Sequence, residues 1–240
     1  VEMERQRVER GGVVPGALDG VGQPAWSVFA PQFDWVPEGV APYQVDEETA
    51  AALLEEAGYT KEDGQWQKDG APLSLRILSY SSRTEMAAIT EALSLLLANQ
   101  GIASEVQMFT WEGMLDLVRR GDYDVSVVFW TPEMTGHPDL HLKSQFHSKA
   151  EMNYQGWANP RFDELVDAGR TLDRGEDRDA TYREALQILQ DDAPLIPLVH
   201  TVFVVAAARH VHGYRLHPTG FFFDLKRLSH RHFTILTRVR

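Results

Sequence analysis

The stretch DVSVVFW, residues 124–130, is an almost unbroken run of apolar side chains. Such a run predicts a strand that is covered on both faces. Two more strands are predicted upstream, LSLRILSY at 73–80 and IASEVQMF at 102–109. Helical patterns separate the three strands, at 84–101 and from Thr110 onward. This alternation predicts βαβ units with parallel strands, and therefore an α/β fold.

The flanking segments predict further elements. Residues 46–59 form a helical pattern in which Asp46 can cap the start and Gly58 marks the end. Downstream of the central stretch, further helices are predicted after Asn159 and over the run EDRDATYREALQILQDD. Two other segments complete the prediction, a hairpin-like connection at 64–72 and a buried strand at 194–208.

The charge of the chain excludes one class of function. The 240 residues carry a formal net charge of -12, whereas binding to nucleic acid requires clustered Lys and Arg. A basic tail at the carboxyl end contains no acidic residue after Lys226, and we expect residues 229–240 to be a solvated end. No cysteine is present, so disulfides and thiolate ligands are excluded. No run reaches the ~18 apolar residues of a membrane span.

Candidate binding residues follow the predicted strands. In open α/β sheets a ligand lies beyond the carboxyl ends of the strands. Tyr80 ends one strand and Arg83 follows it by three residues, while Trp130 closes another and is followed by Thr131 and Glu133. Trp130 offers a flat apolar face, Glu133 a negative charge for an ammonium group, and Arg83 a planar fork for a carboxylate.

The same region permits two other interpretations. His137, His141 and His147 are candidate metal ligands, but the first is followed by Pro138 and lacks the adjacent glutamate of a zinc hydrolase helix. Glu133 is one of two carboxylates in this stretch, yet no matched nucleophile or phosphate-binding loop accompanies them. Surface or loop-capping histidines and solvated loop acids are the structural alternatives. A metal-assisted hydrolase stays open as a hypothesis, although we predict no enzyme.

Several runs, in their order and spacing, resemble a known family. They include GVGQPAWS, YQVDEETAAALLEEAGY, GDYDVSVVFWTPE, NYQGWANPRFDELVDAGR, YREALQILQDDAPLIPLVH and HVHGYRLHPTGFFFDL. Together they cover most of residues 15–228. The chain resembles the carboxyl-terminal half of the extracytoplasmic solute-binding proteins of dipeptide, oligopeptide and nickel ABC importers.

The resemblance implies a fold and a set of partners. It implies a periplasmic-binding-protein-like lobe of type II, cluster C, with a mixed sheet flanked by helices and no catalytic machinery or cofactor. An amino-terminal lobe, a signal sequence and a lipid anchor would lie upstream, and the protein would be periplasmic or extracellular. A peptide-like solute and ABC permease subunits are the implied partners.

The resemblance also implies roles for individual residues of this chain. Peptide-binding members have a Trp-x-x-Asp run whose acid takes the peptide ammonium, and Trp130 and Glu133 occupy those places here with glutamate for aspartate. Arg83 falls near the arginine that holds the carboxylate in dipeptide binders. In nickel binders a histidine of the following loop approaches the metal complex, and His147 is the nearest candidate. Nickel chelate is therefore the alternative ligand.

The predicted division of the chain has four parts. Residues 1–45 are an extended segment between lobes, and residues 46–208 are the α/β lobe. Residues 209–228 return toward the other lobe, and residues 229–240 are the basic tail.

Overall fold

The computed structural model describes residues 22–25, 27–30, 46–131, 137–202, 205–214 and 229–230. The helices are α1 Glu47–Glu56, α2 Thr84–Asn99, α3 Trp111–Arg119, α4 Pro138–Phe146, α5 Pro160–Gly169 and α6 Glu176–Asp192. The strands are β1 Gln23–Pro24, β2 Thr60–Glu62, β3 Gln65–Lys68, β4 Ala71–Pro72, β5 Ser74–Tyr80, β6 Ala103–Phe109, β7 Val125–Ser126, β8 Val199–His200, β9 Val211–His212 and β10 Ser229–His230. No helix in this part of the chain has the length and apolar composition needed to cross a membrane.

A parallel three-stranded sheet in the order β6-β5-β7 organises residues 74–126. β5 pairs in parallel with both neighbours, with Tyr80 opposite Phe109 and Leu78 opposite Ser126. Parallel pairing requires crossover connections, which α2 and α3 supply. The predicted βαβ arrangement is confirmed. Antiparallel pairing among the described strands is confined to three separate small sheets.

β7 is shorter than the strand predicted over residues 124–130. Only Val125–Ser126 are paired as a strand, although the Val127 N–H still donates to the Leu78 carbonyl at 2.8 Å. β5, the strand that pairs with β7, ends at Tyr80. The backbone after Val128 therefore leaves the sheet, which frees the following aromatic residues to lie at its edge.

Helices α2 and α3 pack on this sheet because their apolar side chains recur at helical spacing. Met86 and Ile89 of α2 are buried, as are Met114 and Val118 of α3. Thr110 is the amino-terminal cap of α3, and its side chain accepts a hydrogen bond from the Gly113 backbone N–H at 3.1 Å. With the sheet they form one core, whose buried members also include Ile77, Leu78, Tyr80 and Val127.

A second core lies among helices α4, α5 and α6. Its buried residues include Phe29, Leu142, Phe146, Phe162, Leu165, Val166, Tyr182, Leu186 and Leu189. Helices α5 and α6 agree with the sequence prediction. Asn159 caps α5 by accepting hydrogen bonds from the N–H groups of Arg161 and Phe162, at 3.0 and 3.2 Å.

Helix α4 is absent from the sequence prediction. Pro138 occupies its first turn, where a missing N–H costs nothing, and the His137 side chain caps it by accepting from Asp139 N–H at 3.1 Å. The weak apolar pattern of PDLHLKSQF concealed the helix, although proline at a helix start is a usable signal.

The prediction of a buried strand over residues 194–208 is wrong for most of its described length. Only Val199–His200 pair with another strand, β1, and Ile196, Val202 and Val205 are 70%, 50% and 45% exposed. Apolar composition alone does not make a strand; the backbone also needs hydrogen-bond partners, and β1 supplies only two residues.

The hairpin-like connection predicted at 64–72 is confirmed as β3 and β4, and β2 adds a third antiparallel strand. Trp66 anchors this small sheet, since its side chain is buried and its backbone N–H donates to the Gly101 carbonyl at 2.9 Å. The predicted division of the chain at residues 45, 208 and 228 stays a prediction.

Candidate functional site

Four aromatic side chains and one arginine lie together where the strands of the central sheet end. Tyr80 and Phe109 are the last residues of β5 and β6 and lie opposite each other. The chain continues from these ends into Arg83 and Trp111, and from β7 into Trp130. We call Tyr80, Arg83, Trp111, Phe129 and Trp130 the carboxyl-edge cluster.

Three rings of the cluster form an edge-to-face series. The ring centres of Tyr80 and Trp111 are 5.1 Å apart at 77°, and those of Trp111 and Trp130 are 6.1 Å apart at 84°. Edge-to-face geometry places the positive edge of one ring against the negative face of the next, which holds each ring in one orientation. Tyr80 is buried, whereas Trp130 and Thr131 are partly exposed and can meet a ligand.

Arg83 lies at the same edge. It occupies the cap position of α2 without capping the helix through its side chain, which leaves the guanidinium free for other contacts. The guanidinium carbon lies 3.7 Å from the centre of the Phe129 ring, and Nε donates to Glu85 Oε1 at 2.8 Å. The Arg83 side chain keeps 40% of its surface exposed. The structure therefore brings Tyr80, Arg83 and Trp130 into one cluster.

Sequence reasoning missed two members of the cluster, Trp111 and Phe129, and also the neighbouring Glu85. Trp111 follows a predicted strand, so the positional argument applied to Trp130 would have found it. Burial alone would raise the pKa of Glu85, but hydrogen bonds from its own backbone N–H and from Arg83 lower it. Glu85 is therefore a carboxylate that neutralises Arg83 in the absence of a solute.

Burial raises the pKa of the Tyr80 phenol above its ordinary value, although the Phe129 backbone and the charge of Arg83 partly oppose the shift. The hydroxyl is therefore protonated at neutral pH and can donate a hydrogen bond.

The three candidate histidines have separate surroundings. His141 is buried between Phe29 and Phe146, with ring centres at 6.0 and 5.6 Å, and its ring lies 6.4 Å from that of Trp130. Burial lowers its pKa to about 4, so the imidazole is neutral at pH 7.

His137 and His147 lie at the two ends of α4, the helix that contains His141. The His137 ring packs 5.8 Å from Tyr182, and burial and the charge of Arg178 lower its pKa. The nitrogens of His147 lie 3.6 Å from Asp163 and 3.6 Å from Asp167, and its Nδ1 accepts from a backbone N–H. Across the described part of the chain, no three His, Asp or Glu side chains are grouped to hold a metal ion.

Glu133, predicted to meet an ammonium group, lies outside the described residues, as do Pro132 and residues 134–136. Its role stays a prediction. The described chain stops at Thr131, next to the cluster, and resumes at His137.

Solved structures share this fold. The chain superposes on the oligopeptide-binding protein AppA from Bacillus subtilis with a TM-score of 0.74 at 22% identity, covering 92% of this chain and 45% of that one. The substrate-binding protein CtaP from Listeria monocytogenes gives a TM-score of 0.76 at 20% identity, and the match covers 92% of this chain and 44% of that one. The fold is the predicted α/β, periplasmic-binding-protein-like type II lobe.

The sequence comparison identifies the family. Residues 8–153 match the model of bacterial extracellular solute-binding proteins, family 5 Middle, and the chain belongs to this family. Di/tripeptide-binding protein 2 of Pseudomonas aeruginosa is 27% identical over 200 residues, which are 82% of this chain and 36% of that protein. The dipeptide-binding protein of Escherichia coli is 24% identical over 218 residues, which are 89% of this chain and 39% of that protein. The chain thus spans less than half the length of these relatives.

Proposed function

We propose that the chain is the carboxyl-terminal part of the substrate-binding component of an ABC importer, which captures a peptide-like solute and delivers it to the membrane permease. Membership of the family and relatives named for binding dipeptides and tripeptides support this function. The carboxyl-edge cluster carries the proposal, because it combines a partly exposed guanidinium with aromatic walls at the sheet edge where ligands bind.

The chemistry of the cluster suits one end of a peptide. The guanidinium of Arg83 presents paired N–H groups that match a carboxylate, and the Phe129 ring beneath it keeps the fork in place. In the free protein Glu85 occupies part of this fork. A peptide carboxylate would therefore exchange with Glu85, so that the guanidinium is paired both before and after binding.

Glu133 is the proposed partner of the peptide ammonium. It lies two residues after Thr131 in sequence, and a peptide carries opposite charges at its two ends, so a receptor needs an acid and a base on one rigid frame. Side chains that vary between peptides must be tolerated, and backbone groups and water would satisfy much of the remaining polar surface.

The remaining partners follow from the same proposal. An amino-terminal lobe of the same protein would close over the solute about a hinge, which excludes water and presents a new surface to the permease. The protein would act in the periplasm or outside the cell, held to the membrane by an anchor upstream. It would carry no catalytic activity and need no cofactor.

Calorimetry on the two-lobed protein tests the proposal. Alanyl-alanine should bind with a Kd of about 10 µM or tighter. Its N-acetylated and carboxyl-amidated forms should each bind about tenfold more weakly, because each lacks one terminal charge. A set of dipeptides and tripeptides that shows no binding heat at millimolar concentration would contradict the function.

A nickel chelate is the alternative solute, and the observation that favours it is the neutral imidazole of His141 beside Trp130. Nickel with free histidine would then raise the melting temperature of the two-lobed protein. Loss of that effect in His141→Leu or His147→Ala would support the alternative, and no thermal response to nickel would exclude it. A metal-assisted hydrolase, the third hypothesis, would require turnover of a peptide or ester.

A further inference from the structure

We propose that a buried polar junction beside α4 positions the chain segment that recognises the peptide ammonium. The junction consists of Asp139 in the first turn of α4, Arg170 at the end of α5, and Arg178 and Tyr182 on α6. We call these four residues the α4 junction. The inference rests on the proposed function and goes beyond it, because it assigns positioning residues that lie outside the carboxyl-edge cluster.

Arg178 has a buried guanidinium that is incompletely paired. The residue is 6% exposed, and its Nη2 lies 3.6 Å from Asp179 Oδ1, which is too far for a hydrogen bond. Among the described residues, Nε and Nη2 of Arg178 have no hydrogen-bond partner. A buried charge of this kind lowers stability relative to an apolar side chain of similar size. Stability therefore does not account for an arginine here, whereas a role in fixing one arrangement of the three helices does.

The other members of the junction surround this guanidinium with polar groups. Asp139 Oδ2 lies 3.7 Å from Arg170 Nε, while Asp139 Oδ1 and the Tyr182 hydroxyl are buried without a hydrogen-bond partner in the described part of the chain. Burial and then the charge of Asp139 raise the pKa of the Tyr182 phenol, whereas Arg178 and Arg170 lower it. Charges on three helices therefore act on one another at this place, and their balance depends on how α4 sits against α5 and α6.

The start of α4 is one attachment point of the proposed ammonium-binding segment. Residues 132–136, which include Glu133, connect Thr131 to His137, the residue that caps α4. The ring of His137 packs 5.8 Å from the ring of Tyr182, at an angle of 84°. The junction thus contacts the attachment point directly, and a shift of α4 relative to α6 would displace it.

A second contact joins α4 to the carboxyl-edge cluster. The ring of His141 lies 6.4 Å from the ring of Trp130, so α4 borders the segment on both sides. Arg83 belongs instead to the start of α2, which packs on β5 and β6. Disturbing the junction should therefore impair recognition of the ammonium and spare recognition of the carboxylate.

Calorimetry on the two-lobed protein tests the proposal with Arg178→Met and Asp139→Asn. The first variant removes the buried cation and keeps a long side chain, and the second removes the anion and keeps its shape. In the wild type, N-acetylation and carboxyl amidation of alanyl-alanine should each weaken binding about tenfold. In each variant the free and the amidated peptide should bind about fivefold more weakly, with the N-acetylated peptide unchanged. The effect of acetylation then falls to about twofold, while the effect of amidation stays about tenfold.

Arg161→Met is the matched control. Arg161 also joins α5 to α6, because it donates to Glu184 at 2.7 and 3.1 Å, but its side chain is 55% exposed. This variant should bind all three peptides as the wild type does. Urea unfolding followed by circular dichroism checks that each variant is folded at the temperature of the calorimetry, and either junction variant that keeps its unfolding transition is sufficient for the test.

Several outcomes would overturn the positioning role and leave the proposed function standing. They are a tenfold effect of acetylation that persists in the folded variants, equal weakening of all three peptides, and equal affinity of the wild type for the free and the N-acetylated peptide. Loss of the unfolding transition in both variants would assign the junction to the fold and not to the solute. Failure of the wild type to bind any of the peptides would contradict both proposals.

Discussion

The guanidinium carbon of Arg83 lies 3.7 Å from the centre of the Phe129 ring. Arg83 follows strand β5 and Phe129 follows strand β7, so this contact joins the ends of two strands that are 46 residues apart along the chain. The aromatic face attracts the cation and restricts its rotation, while Glu85 balances its charge. A guanidinium held in this way needs little reorganisation to accept a carboxylate.

Replacement of Arg83 should weaken peptide binding selectively. Arg83→Lys keeps the charge but loses the planar fork, and we expect about tenfold weaker binding of alanyl-alanine. The carboxyl-amidated peptide should bind the variant and the wild type equally, because it has no carboxylate to pair. Arg76→Ala is the matched control, since Arg76 lies earlier on β5 and pairs with Asp122 at 2.7 Å. Equal losses for the free and the amidated peptide would remove Arg83 from carboxylate recognition.

Replacement of Glu133 should weaken binding through the other end of the peptide. Glu133→Ala in the two-lobed protein is expected to raise Kd by about tenfold or more, because the ammonium would be buried without an acid. Glu133→Gln should behave similarly, and neither should affect an N-acetylated peptide. Glu151→Ala, at an exposed position, serves as the control. An unchanged calorimetric affinity for the free peptide in Glu133→Ala would remove this residue from the site.

His141 should make the protein less stable as the pH falls below neutrality. Burial holds its folded-state pKa at about 4, below the 6.5 of an exposed histidine. Between these values the unfolded chain takes up a proton that the folded protein does not, so the free energy of unfolding decreases as the pH falls. The decrease attributable to His141 should reach about 3 kcal/mol at pH 4 and disappear above pH 6.5.

Urea unfolding of the wild type and His141→Leu between pH 7 and pH 4 isolates this contribution. Carboxylates titrate in both proteins, so the difference between the two curves reports the histidine alone. Wild type should lose stability relative to the variant over this interval. A difference that does not change with pH, or an NMR titration of His141 with a midpoint near 6, would show that the imidazole is accessible to water in the folded state.

Gly169→Ala should destabilise the second core. A Cβ at this position would lie 2.7 Å from Cζ of Tyr182, a ring that is 1% exposed and cannot move aside without disturbing the packing of α5 on α6. Overpacking of this kind costs about 1–3 kcal/mol. Gly175→Ala is the comparison variant, because nothing lies within 4 Å of its Cβ position; since Gly175 is the amino-terminal cap of α6, its cost should come from the cap alone, about 1 kcal/mol or less. Equal unfolding midpoints for the two variants would show that α5 and α6 separate more easily than this packing indicates.

Elements specified by local signals were predicted well. The cap at Asp46, the proline after Asn159 and the apolar spacing of the helix before Gly101 each act within a few residues, and the structure contains the corresponding helices. Their ends differ from the prediction by one or two residues. The parallel direction of the three strands was also predicted correctly, because a helix between consecutive strands acts as the crossover that parallel pairing requires.

Features that depend on distant partners were predicted poorly. The segment 194–208 has the composition of a buried strand, but Ile196 and Val202 are exposed because the described chain offers this segment only a two-residue partner strand. Helix α4 was missed because PDLHLKSQF has only a weak apolar pattern, and its burial depends on packing against α5 and α6. The contact between Arg83 and Phe129 had no sequence signal, since Phe129 lies inside the strand predicted over residues 124–130.

The alternation of strands and helices over residues 74–126, the family and the positions where a site should lie were determined by sequence alone, because hydrophobic period, capping residues and the ends of strands are local properties. Which side chains meet was decided only by the tertiary structure. Parallel pairing of β5 with β6 and β7 brings Arg83, Trp111 and Trp130 to one edge, while packing between helices leaves His141 buried and neutral. These outcomes depend on distances between residues far apart in the chain, which no local pattern specifies.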